Sequence, residues 1–567
     1  MDRVAAAMER KLLLPAGVPV CLVALAVLGR QISFIAPHSS PLSLRPGGFS
    51  GQAAAIFTHA GPMAGSGIAG RELCRFIVRR VIAGGRQVGT LRPEMTTRGS
   101  ITLVARSWLP LLSTAVFVLA WTQSAALAPQ QESGVLPIDP PTPYIHYFGA
   151  TSPVGRVLVV HGLNAAKETS QIISAALADG GFEVYAIDLP GHGDSNTAFH
   201  TAVAQKAIRN ATIHLDPQAV VAHSMGAGLL LDLAATEPFS TIVLLSPPPV
   251  AISEIHAERA LIVTGEMDVP RIRSFAPIAA DIGESKAEVW LIPWAAHSAP
   301  IFSPIYVRRI VDWLGGDGSK TRTTARLFWV VIMFVASLSL GMSLLRGQPV
   351  QPGARPATTI LALYVVACCV ALFTLTLINP FRWLRLFATD YLLGFLLLAG
   401  LVLAGVVFGD LRARLRLGAS SAFGGLYIAF LSAAFVIAVP GMLAVSHLLH
   451  LSLPAGHWWR FPVIAMFGLP LFLADELMVR KLPTRWKPHA VALLTRGLLV
   501  VFMLTGVLTL NRESAFLLML LPLVALFWMA LWVTAGFVHR RTQNAVAAAV
   551  FAALVQGWVF ASLFVSV

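Results

Sequence analysis

Eight long apolar runs, separated by short basic loops, fill the chain from residue 326 to its last residue. Each run has roughly the 20 residues that a helix needs to cross the hydrocarbon core of a bilayer. The composition agrees, because 56% of all residues are hydrophobic and 12% are charged, whereas about a quarter of a soluble globular chain is charged. The sequence therefore predicts an all-α polytopic membrane domain of about eight transmembrane helices over residues 317–567. The runs lie near residues 326–345, 358–379, 387–409, 421–448, 461–478, 490–510, 515–537 and 544–567.

The formal net charge of +14 is unevenly distributed along the chain. Residues 318–567 hold 19 basic and 5 acidic side chains, whereas residues 130–317 hold 10 basic and 19 acidic ones. The excess of positive charge thus lies in loops between apolar runs and not on one soluble surface, which excludes a nucleic-acid-binding protein. We expect an acidic soluble domain joined to a membrane domain, with the lipid bilayer and not nucleic acid as a partner. Protein partners cannot be read from the sequence.

The first 94 residues are basic and rich in Pro, Gly and Ser. One apolar stretch, residues 12–28, is long enough for an extra helix, but the remainder has no sustained periodicity. We therefore expect a poorly ordered N-terminal segment over residues 1–94. A start of translation at Met95 is an equally good interpretation.

A second apolar stretch, residues 107–128, follows two arginines in the layout of a signal anchor. Its end resembles a cleavage site, but Pro129 directly after the cut position disfavours cleavage. We therefore predict a retained signal anchor followed by a Pro/Gln/Ser-rich tether over residues 95–144.

The basic residues in the loops also predict an orientation. If the acidic domain is exported, the loops on the cytoplasmic side carry 11 Lys and Arg residues, and the segments on the opposite side carry 7. Loops on the cytoplasmic side usually hold the excess of Lys and Arg. We therefore predict a multi-pass protein of the cell membrane with its acidic domain outside the cytoplasm.

The acidic block, residues 145–316, alternates short β-branched runs with amphipathic stretches. This pattern is typical of an α/β domain with a parallel sheet. Strands are predicted at residues 156–160, 182–187, 219–222, 241–245, 260–264 and 288–292. Helices are predicted at residues 167–178, 201–210, 225–235 and 304–314.

A serine follows the third predicted strand, in the run Ala222-His223-Ser224-Met225-Gly226. A serine on a sharp strand-to-helix turn needs small neighbours two positions to either side, so that the backbone can turn and expose Oγ. Ala222 stands where a glycine is usual. The run alone is a weak signal, and a serine that caps a helix is the structural alternative.

Motifs after the other strands strengthen the interpretation of Ser224 as a nucleophile. His161-Gly162-Leu163-Asn164 follows the first strand and a run from Asp188 to Ser195 follows the second. An acidic turn, Thr264-Gly265-Glu266-Met267-Asp268, follows the fifth, and Ala296-His297-Ser298 follows the sixth. The order of serine, acid and histidine resembles the α/β-hydrolase family over residues 145–316, about a third of the chain. The resemblance implies the α/β-hydrolase fold and a serine hydrolase of the carboxylesterase, lipase or thioesterase type.

The resemblance further implies that Ser224 is the nucleophile, His297 the base and Asp268 the acid that orients it. A serine hydroxyl becomes a good nucleophile when an imidazole takes its proton and a carboxylate fixes the tautomer of that imidazole. Glu266 would share a face with Asp268 on an extended strand end, so both acids remain candidates, and the family's pattern favours Asp268. The backbone N–H groups of Leu163 and Met225 would form the oxyanion hole.

The connection between the fourth and fifth predicted strands has only about 14 residues, which leaves no room for an inserted helical lid. The predicted fold class is α/β: an α/β-hydrolase domain without an inserted lid, plus an all-α polytopic membrane domain. An open site of this kind favours a small-molecule or lipid-derived acyl substrate, cleaved at an ester, thioester or related acyl bond. The sequence holds no nicotinamide fingerprint, P-loop or metal-ligand spacing, so no cofactor and no metal are predicted.

Five further polar residues of these motifs are expected to have structural roles. His161, His192 and His223 lie inside turns and are predicted to hydrogen-bond the loop backbone. Asp194 and Ser195 are predicted to cap a loop.

Asp475 and Glu476 lie at the end of an apolar run, near Arg480. Their spacing faintly resembles the glutamate–arginine motif of CAAX-type intramembrane proteases, and a salt bridge to Arg480 is the structural alternative. Little other charge is expected inside the spans. This weakens the two alternatives to a membrane-anchored serine hydrolase: a transport or membrane-scaffold protein with an accessory or inactive hydrolase domain, and an intramembrane protease-like membrane domain.

Overall fold

The computed structural model describes residues 97–251, 254–281, 287–353, 355–378, 384–386, 389–416, 419–445, 448–453, 457–483, 486–510 and 517–564. The predictions for residues 1–94 and for a start at Met95 lie outside the described residues. The chain divides into two units after Leu112. Of the first unit the structure describes residues 97–112, which begin helix α1 (Thr97–Leu127). The second unit holds a sheet domain, residues 131–320, and a helical domain, residues 323–564.

Eight strands form one mixed sheet in the sheet domain. They are β1 (Gln131–Leu136), β2 (Thr142–Tyr147), β3 (Arg156–Val160), β4 (Glu183–Ile187), β5 (Ala219–His223), β6 (Phe239–Leu245), β7 (Ala257–Gly265) and β8 (Glu288–Ile292). Their order is β1-β2-β4-β3-β5-β6-β7-β8. Strand β2 runs antiparallel to both neighbours, and all other pairs are parallel. The six predicted strands are confirmed as β3 to β8, and with them the α/β fold class.

The sheet starts earlier in the chain than the sequence predicts. The segment interpreted as a tether contains β1 and the start of β2, which pair with each other and join the sheet through β4. The residues Ser133, Gly134 and Pro143 are poor strand formers, and β1 is an exposed edge strand. The alternation of apolar and polar residues that predicts a strand is therefore missing here.

Helices cover both faces of the sheet. They are α2 (Gln171–Asp179), α3 (Thr201–Leu215), α4 (Met225–Ala234), α5 (Pro270–Asp281), α6 (Ala299–Phe302) and α7 (Pro304–Trp313). Leu158 and Val160 of β3 pack into a core with residues of α3, α4 and α5, whereas Val157 and Val159 pack into a second core with residues of α2, α6 and α7. Because successive side chains of a strand point to opposite faces, a strand buried on both faces is a continuous apolar run.

The connection from β6 to β7, residues 246–256, is short. Its described part contains no helix. The predicted absence of an inserted helical lid concerns this connection.

The helical domain contains a helix for each predicted apolar run. They are α8 (Thr323–Leu344), α9 (Ala357–Leu377), α10 (Thr389–Arg416), α11 (Ala419–Val436), α12 (Arg460–Ala474), α13 (Lys487–Thr509), α14 (Leu517–Thr542) and α15 (Ala545–Leu563). Helix α11 continues as the π-helical segment Ile437–Ala444, and α12 as the π-helical turn Asp475–Val479. With α1, nine helices in the described ranges are long and apolar enough to cross a membrane. The chain is therefore a multi-pass membrane protein.

Three basic loops of the helical domain meet at one end of it. The Gly353 N–H donates a hydrogen bond to the Lys481 carbonyl at 2.6 Å, and the Gln543 amide donates to the Gln348 carbonyl at 2.9 Å. The loops that follow α8, α12 and α14 thus lie on the same side, as expected for consecutive helices that cross a bilayer in alternating directions.

Asp475 is part of a buried ion pair between three helices, contrary to the expectation that the spans hold little charge. Its carboxylate accepts a hydrogen bond from Arg496 Nη1 of α13 at 3.0 Å and another from the Tyr364 hydroxyl of α9. Asp475 and Arg496 are almost fully buried. This pairing could not be predicted because Arg496 is adjacent to Asp475 only in three dimensions.

Glu476 forms the salt bridge to Arg480 that the structural alternative predicts. Its two carboxylate oxygens accept hydrogen bonds from Arg480 Nε and Nη2, both at 2.7 Å. Nδ1 of His539, on α14, lies 2.6 Å from Glu476 Oε2. Both oxygens of the carboxylate are thus engaged, which is typical of a structural ion pair.

The start of the helical domain is attached to the sheet domain by one carboxylate. Asp179, at the end of α2, lies 2.7 Å from Arg326 Nη1 and 2.8 Å from Arg322 Nη2. Arg326 also donates to the Leu127 carbonyl at the end of α1. These contacts join α1, α2 and α8 on the side of the helical domain that faces the sheet domain.

A second attachment is centred on the buried ammonium group of Lys167. Its Nζ lies 2.6 Å from carboxylate oxygens of Asp188 and Asp194, and 3.0 Å from Glu168. His450, in the loop between α11 and α12, contacts Glu168 Oε2 through Nδ1 at 3.0 Å. The Lys167 cluster, defined by these five residues, therefore links the loops after β3 and β4 to the helical domain.

The charge of His450 is stabilised by this contact. Burial alone would lower the pKa of His450, but the hydrogen bond and negative charge of Glu168 outweigh it and raise that pKa above 6.5. Burial would likewise raise the pKa of Glu168, but the charge of Lys167, with a smaller contribution from His450, lowers it to about 2. At mildly acidic pH the contact is thus an ion pair.

The raised pKa of His450 predicts a loss of stability at alkaline pH. A group with a raised folded-state pKa stabilises the protein fully below its unfolded-state pKa, and this contribution disappears as pH rises through the folded-state pKa. We therefore expect the melting temperature of the detergent-solubilised protein to fall more between about pH 6 and about pH 9 in the parent than in His450→Gln. His214→Gln, on the exposed side of α3, is the control. Equal pH dependence in all three proteins would contradict the prediction.

Candidate active site

Ser224 lies on a sharp turn between β5 and α4. Its backbone has φ 51° and ψ −119°, a conformation that is costly for a residue with a side chain, typically by ~1–3 kcal/mol. The Ser224 side chain makes no capping hydrogen bond to α4, which argues against the helix-capping alternative. Ala222, in place of the usual glycine, is fully buried in β5 and does not prevent the turn.

The loop after β3 packs directly against Ser224. A Cβ atom on Gly162 would lie 2.9 Å from Ser224 Cβ and 3.0 Å from His223 Nδ1. Only a glycine lets the two segments approach so closely, and this brings Leu163, the next residue, to the turn.

The structure brings the three residues of the predicted triad together. His297, in the loop after β8, lies with Nε2 at 2.8 Å from Ser224 Oγ. Its Nδ1 lies 3.0 Å from each carboxylate oxygen of Asp268. The His297 carbonyl accepts a hydrogen bond from Ser246 Oγ at 2.9 Å, which ties this loop to the end of β6.

Asp268, and not Glu266, is the acid in contact with His297. The Asp268 side chain is fully buried, and it also accepts hydrogen bonds from Val269 N–H at 2.7 Å and Thr264 Oγ1 at 3.2 Å. Burial would raise the pKa of Asp268, but its hydrogen bonds and the charge of His297 outweigh this and lower the pKa. Glu266 is exposed and accepts a hydrogen bond from the Trp294 N–H at 3.2 Å.

Leu163 and Met225 have the backbone environment expected of oxyanion donors. Met225 is the first residue of α4, where N–H groups have no acceptor within the helix. The Leu163 N–H donates no hydrogen bond to any residue that the structure describes. Met225 directly follows Ser224 in the chain, and Leu163 directly follows Gly162, which packs against Ser224.

The three predicted structural histidines all contact backbone carbonyls. His161 Nδ1 lies 2.8 Å from the Gly162 oxygen, His192 Nδ1 lies 2.8 Å from the Pro190 oxygen, and His223 Nε2 lies 3.4 Å from the His297 oxygen. Burial is the main cause of their shifted titration: it lowers the pKa of His161, and it lowers the pKa of His192 and of His223 to about 3. The three rings are neutral at physiological pH.

Asp194 has a different role from the predicted loop cap. It belongs to the Lys167 cluster, although its N–H does donate to Asp188 Oδ2 at 2.9 Å. Ser195 accepts a weak hydrogen bond from the Thr197 N–H at 3.4 Å, which is a capping contact. The sequence does not predict the cluster, because nothing in it distinguishes Lys167 from a solvated lysine.

In the described part of the chain, one group of side chains has the spacing of metal ligands. Ligand atoms of Glu168, Asp194 and His450 lie within 4.8 Å of one another. The Lys167 ammonium group already contacts both carboxylates, so the positive charge that a cation would supply is present.

Comparisons with known proteins concern the sheet domain and the start of the helical domain. The sequence model of the alpha/beta hydrolase family matches residues 157–369. No curated protein sequence matches the chain significantly.

Several solved structures are similar to about a third of the chain. The carboxylesterase CesB of Bacillus subtilis is 15% identical and has a TM-score of 0.29, with 36% of this chain and 98% of that chain covered. A monoacylglycerol lipase from Paleococcus ferrophilus is 17% identical, with a TM-score of 0.28 and coverage of 34% and 99%. A thioesterase domain from the curacin biosynthetic pathway is 15% identical, with a TM-score of 0.27 and coverage of 33% and 99%.

The family match and the mixed eight-stranded sheet agree on one architecture. The serine turn after β5 and the loops after β3, β7 and β8 meet at one edge of this sheet. The chain therefore contains an α/β-hydrolase domain, followed by an all-helical region of membrane-length apolar helices.

Proposed function

We propose that this chain is a membrane-anchored serine hydrolase that cleaves an ester, thioester or related acyl bond. The observation that carries the proposal is the contact of Ser224 Oγ with His297 Nε2 at 2.8 Å, while Asp268 contacts the other ring nitrogen. This arrangement activates a serine hydroxyl, and it lies inside an α/β-hydrolase domain.

The reaction takes place in two halves. His297 Nε2 accepts the hydroxyl proton while Ser224 Oγ attacks the acyl carbon, and Asp268 stabilises the imidazolium that forms. The tetrahedral intermediate collapses to an acyl-enzyme, and His297 returns the proton to the leaving alcohol or thiol. Water then attacks the acyl carbon, again with His297 as base, and releases the acid and free Ser224.

The backbone N–H groups of Leu163 and Met225 stabilise the oxygen anion of each intermediate. A donor of this kind typically contributes ~2.7–4 kcal/mol to transition-state stabilisation. The packing of Gly162 against Ser224 supports this role because it holds the loop that carries Leu163 next to the nucleophile.

The contacts in both domains weigh against the alternative functions. An inactive hydrolase domain would not need to retain a serine, a histidine and a buried carboxylate in contact. An intramembrane protease would need an available carboxylate, whereas both oxygens of Glu476 are engaged by Arg480.

Ser224→Ala tests the nucleophile. A fluorophosphonate probe reacts with an activated serine, so we expect labelling of the parent protein in membranes and none of the variant. Hydrolysis of an ester substrate should fall by about 10⁴-fold or more, as for other serine triads. Equal labelling of both proteins, or of neither, would contradict the proposal.

Substitutions of the two candidate acids are expected to have different effects on hydrolysis. Asp268→Asn should lower hydrolysis by ~10³–10⁴-fold because the amide favours the wrong tautomer of His297. Glu266→Gln removes an exposed carboxylate that does not touch His297, and it should leave hydrolysis close to that of the parent. The reverse result, with loss of activity in Glu266→Gln alone, would assign the role to Glu266.

We further propose that the protein lies in the cell membrane with the sheet domain outside the cytoplasm. The basic loops after α8, α12 and α14 meet at the end of the helical domain away from the His450 contact, and such loops usually remain cytoplasmic.

Reporter fusions test this orientation. A periplasmic-type reporter inserted near residue 350 or residue 543 should be inactive, and one placed after residue 315 should be active. A cytoplasmic reporter at the same positions is the matched control, and it should give the opposite pattern. Activity of the periplasmic-type reporter at the first two positions would reverse the orientation.

A further inference from the structure

A pocket lies between the sheet domain and the helical domain. On one side it is lined by the loops after β3 and β4, including Asn164, Thr169 and Gly193. On the other side it is lined by His450 and by residues 561–564. Its empty volume is about 410 Å³, including its open side. The two domains thus share one cavity.

The lining of this pocket includes Asn164, two residues after the glycine that packs against Ser224. Gly162 packs against Ser224, and Asn164 follows two residues later. Because consecutive Cα atoms are ~3.8 Å apart, the lining of the pocket starts within about 8 Å of Gly162. Leu163, the proposed oxyanion donor, lies between the two residues. The lining of the pocket is thus continuous along the chain with the loop that holds the proposed oxyanion donor.

The wall from the helical domain lies at one end of a helix that is long and apolar enough to cross a membrane. Residues 561–564 include the last turn of α15 and the residue directly after it. Trp458 and Trp459, directly before α12, are 52% and 50% exposed. Trp558 of α15 packs against Trp458, which places both helix ends at the same level. Tryptophans at helix ends are enriched at the headgroup level of a bilayer, where the ester groups of lipids lie.

The pocket lining has both polar and apolar parts. Thr169, His450 and Ser562 provide polar groups, whereas Leu563 and Phe564 are apolar. This combination suits the ester region of a lipid, in which a polar carbonyl is joined to methylene groups.

From this position and lining we propose that the substrate is an ester-bearing lipid of the bilayer, which reaches Ser224 through the pocket between the two domains. The inference rests on the proposed hydrolase function and names its substrate class. The helical domain forms one wall of the substrate site and is more than an anchor.

Two fluorophosphonates that differ only in chain length test the route. In each, Ser224 Oγ attacks phosphorus, the P–O bond forms, fluoride leaves and the proton passes to His297. The long-chain probe partitions into phosphatidylcholine vesicles that contain the full-length protein, and the short-chain probe stays in water. The measured quantity is the ratio of the two labelling rates at Ser224.

Ser562→Trp and Leu563→Trp each fill the pocket from the side of α15, and Leu526→Trp changes an exposed residue of α14 (67% exposed) as the control. We expect the ratio of long-chain to short-chain labelling to fall by about tenfold, or ~1.4 kcal/mol, in both pocket variants and to stay at the parent value in the control. The rate with the short-chain probe reports whether each variant is folded.

The outcomes separate this inference from the proposed function. An unchanged ratio in both pocket variants, with Ser224 still labelled, would overturn the lipid route and indicate a water-soluble ester. An equal fall in the control would overturn it too, because the effect would then come from the bilayer and not from the pocket. The absence of labelling of the parent by either probe would overturn the hydrolase function itself.

Discussion

The ion pairs of Lys167 join the elements that surround the candidate active site. Lys167 follows the loop that carries Leu163, Asp188 and Asp194 follow β4, and Glu168 connects the group to His450 of the helical domain. Because the Asp188 side chain is fully buried, its charge without Lys167 would be uncompensated inside the protein, which typically costs ~3–5 kcal/mol. The same ion pairs thus position the candidate oxyanion loop and attach the helical domain. A change in the attachment of the two domains would therefore also act on the loop next to Ser224.

Features that depend on neighbouring residues in the chain were predictable. The apolar runs of β3 to β8 reflect burial on both faces of a sheet, and the serine turn after β5 requires small residues at fixed positions, so both leave a local pattern. The Lys167 cluster and the pair of Asp475 with Arg496 leave none, because a buried lysine or arginine has the same local sequence as a solvated one. Strand β1 leaves no local pattern for another reason. An edge strand needs only one partner and tolerates polar residues and glycine, so it lacks the alternation by which strands are recognised.

Asp268 and Glu266 point in different directions because the chain turns after Gly265. On a straight strand, the two side chains would point in the same direction. In the structure, however, β7 ends at Gly265, and the Asp268 N–H bonds back to the Gly265 carbonyl at 3.1 Å, which makes a turn. A Cβ atom on Gly265 would lie 2.1 Å from the Ala295 carbonyl oxygen, so this glycine lets the turn pack against the loop of His297. The turn directs Asp268 towards His297 and leaves Glu266 exposed near Trp294.

The short connection from β6 to β7 also bears on the proposed role of the helical domain as a wall of the substrate site. Without an inserted lid at this place, the walls of a substrate site come from other segments of the chain. Here the residues next to Leu163 face the end of α15 and His450 across the pocket. If the substrate is a lipid ester, this arrangement has a physical advantage over a mobile lid, because the ester already lies at the level of the pocket and need not leave the bilayer. The free energy needed to extract a lipid from the bilayer, about 0.8 kcal/mol for each buried CH₂ group, then does not have to come from binding to the enzyme. With such a substrate, the fusion of the two domains would confine the proposed acyl chemistry to the membrane surface.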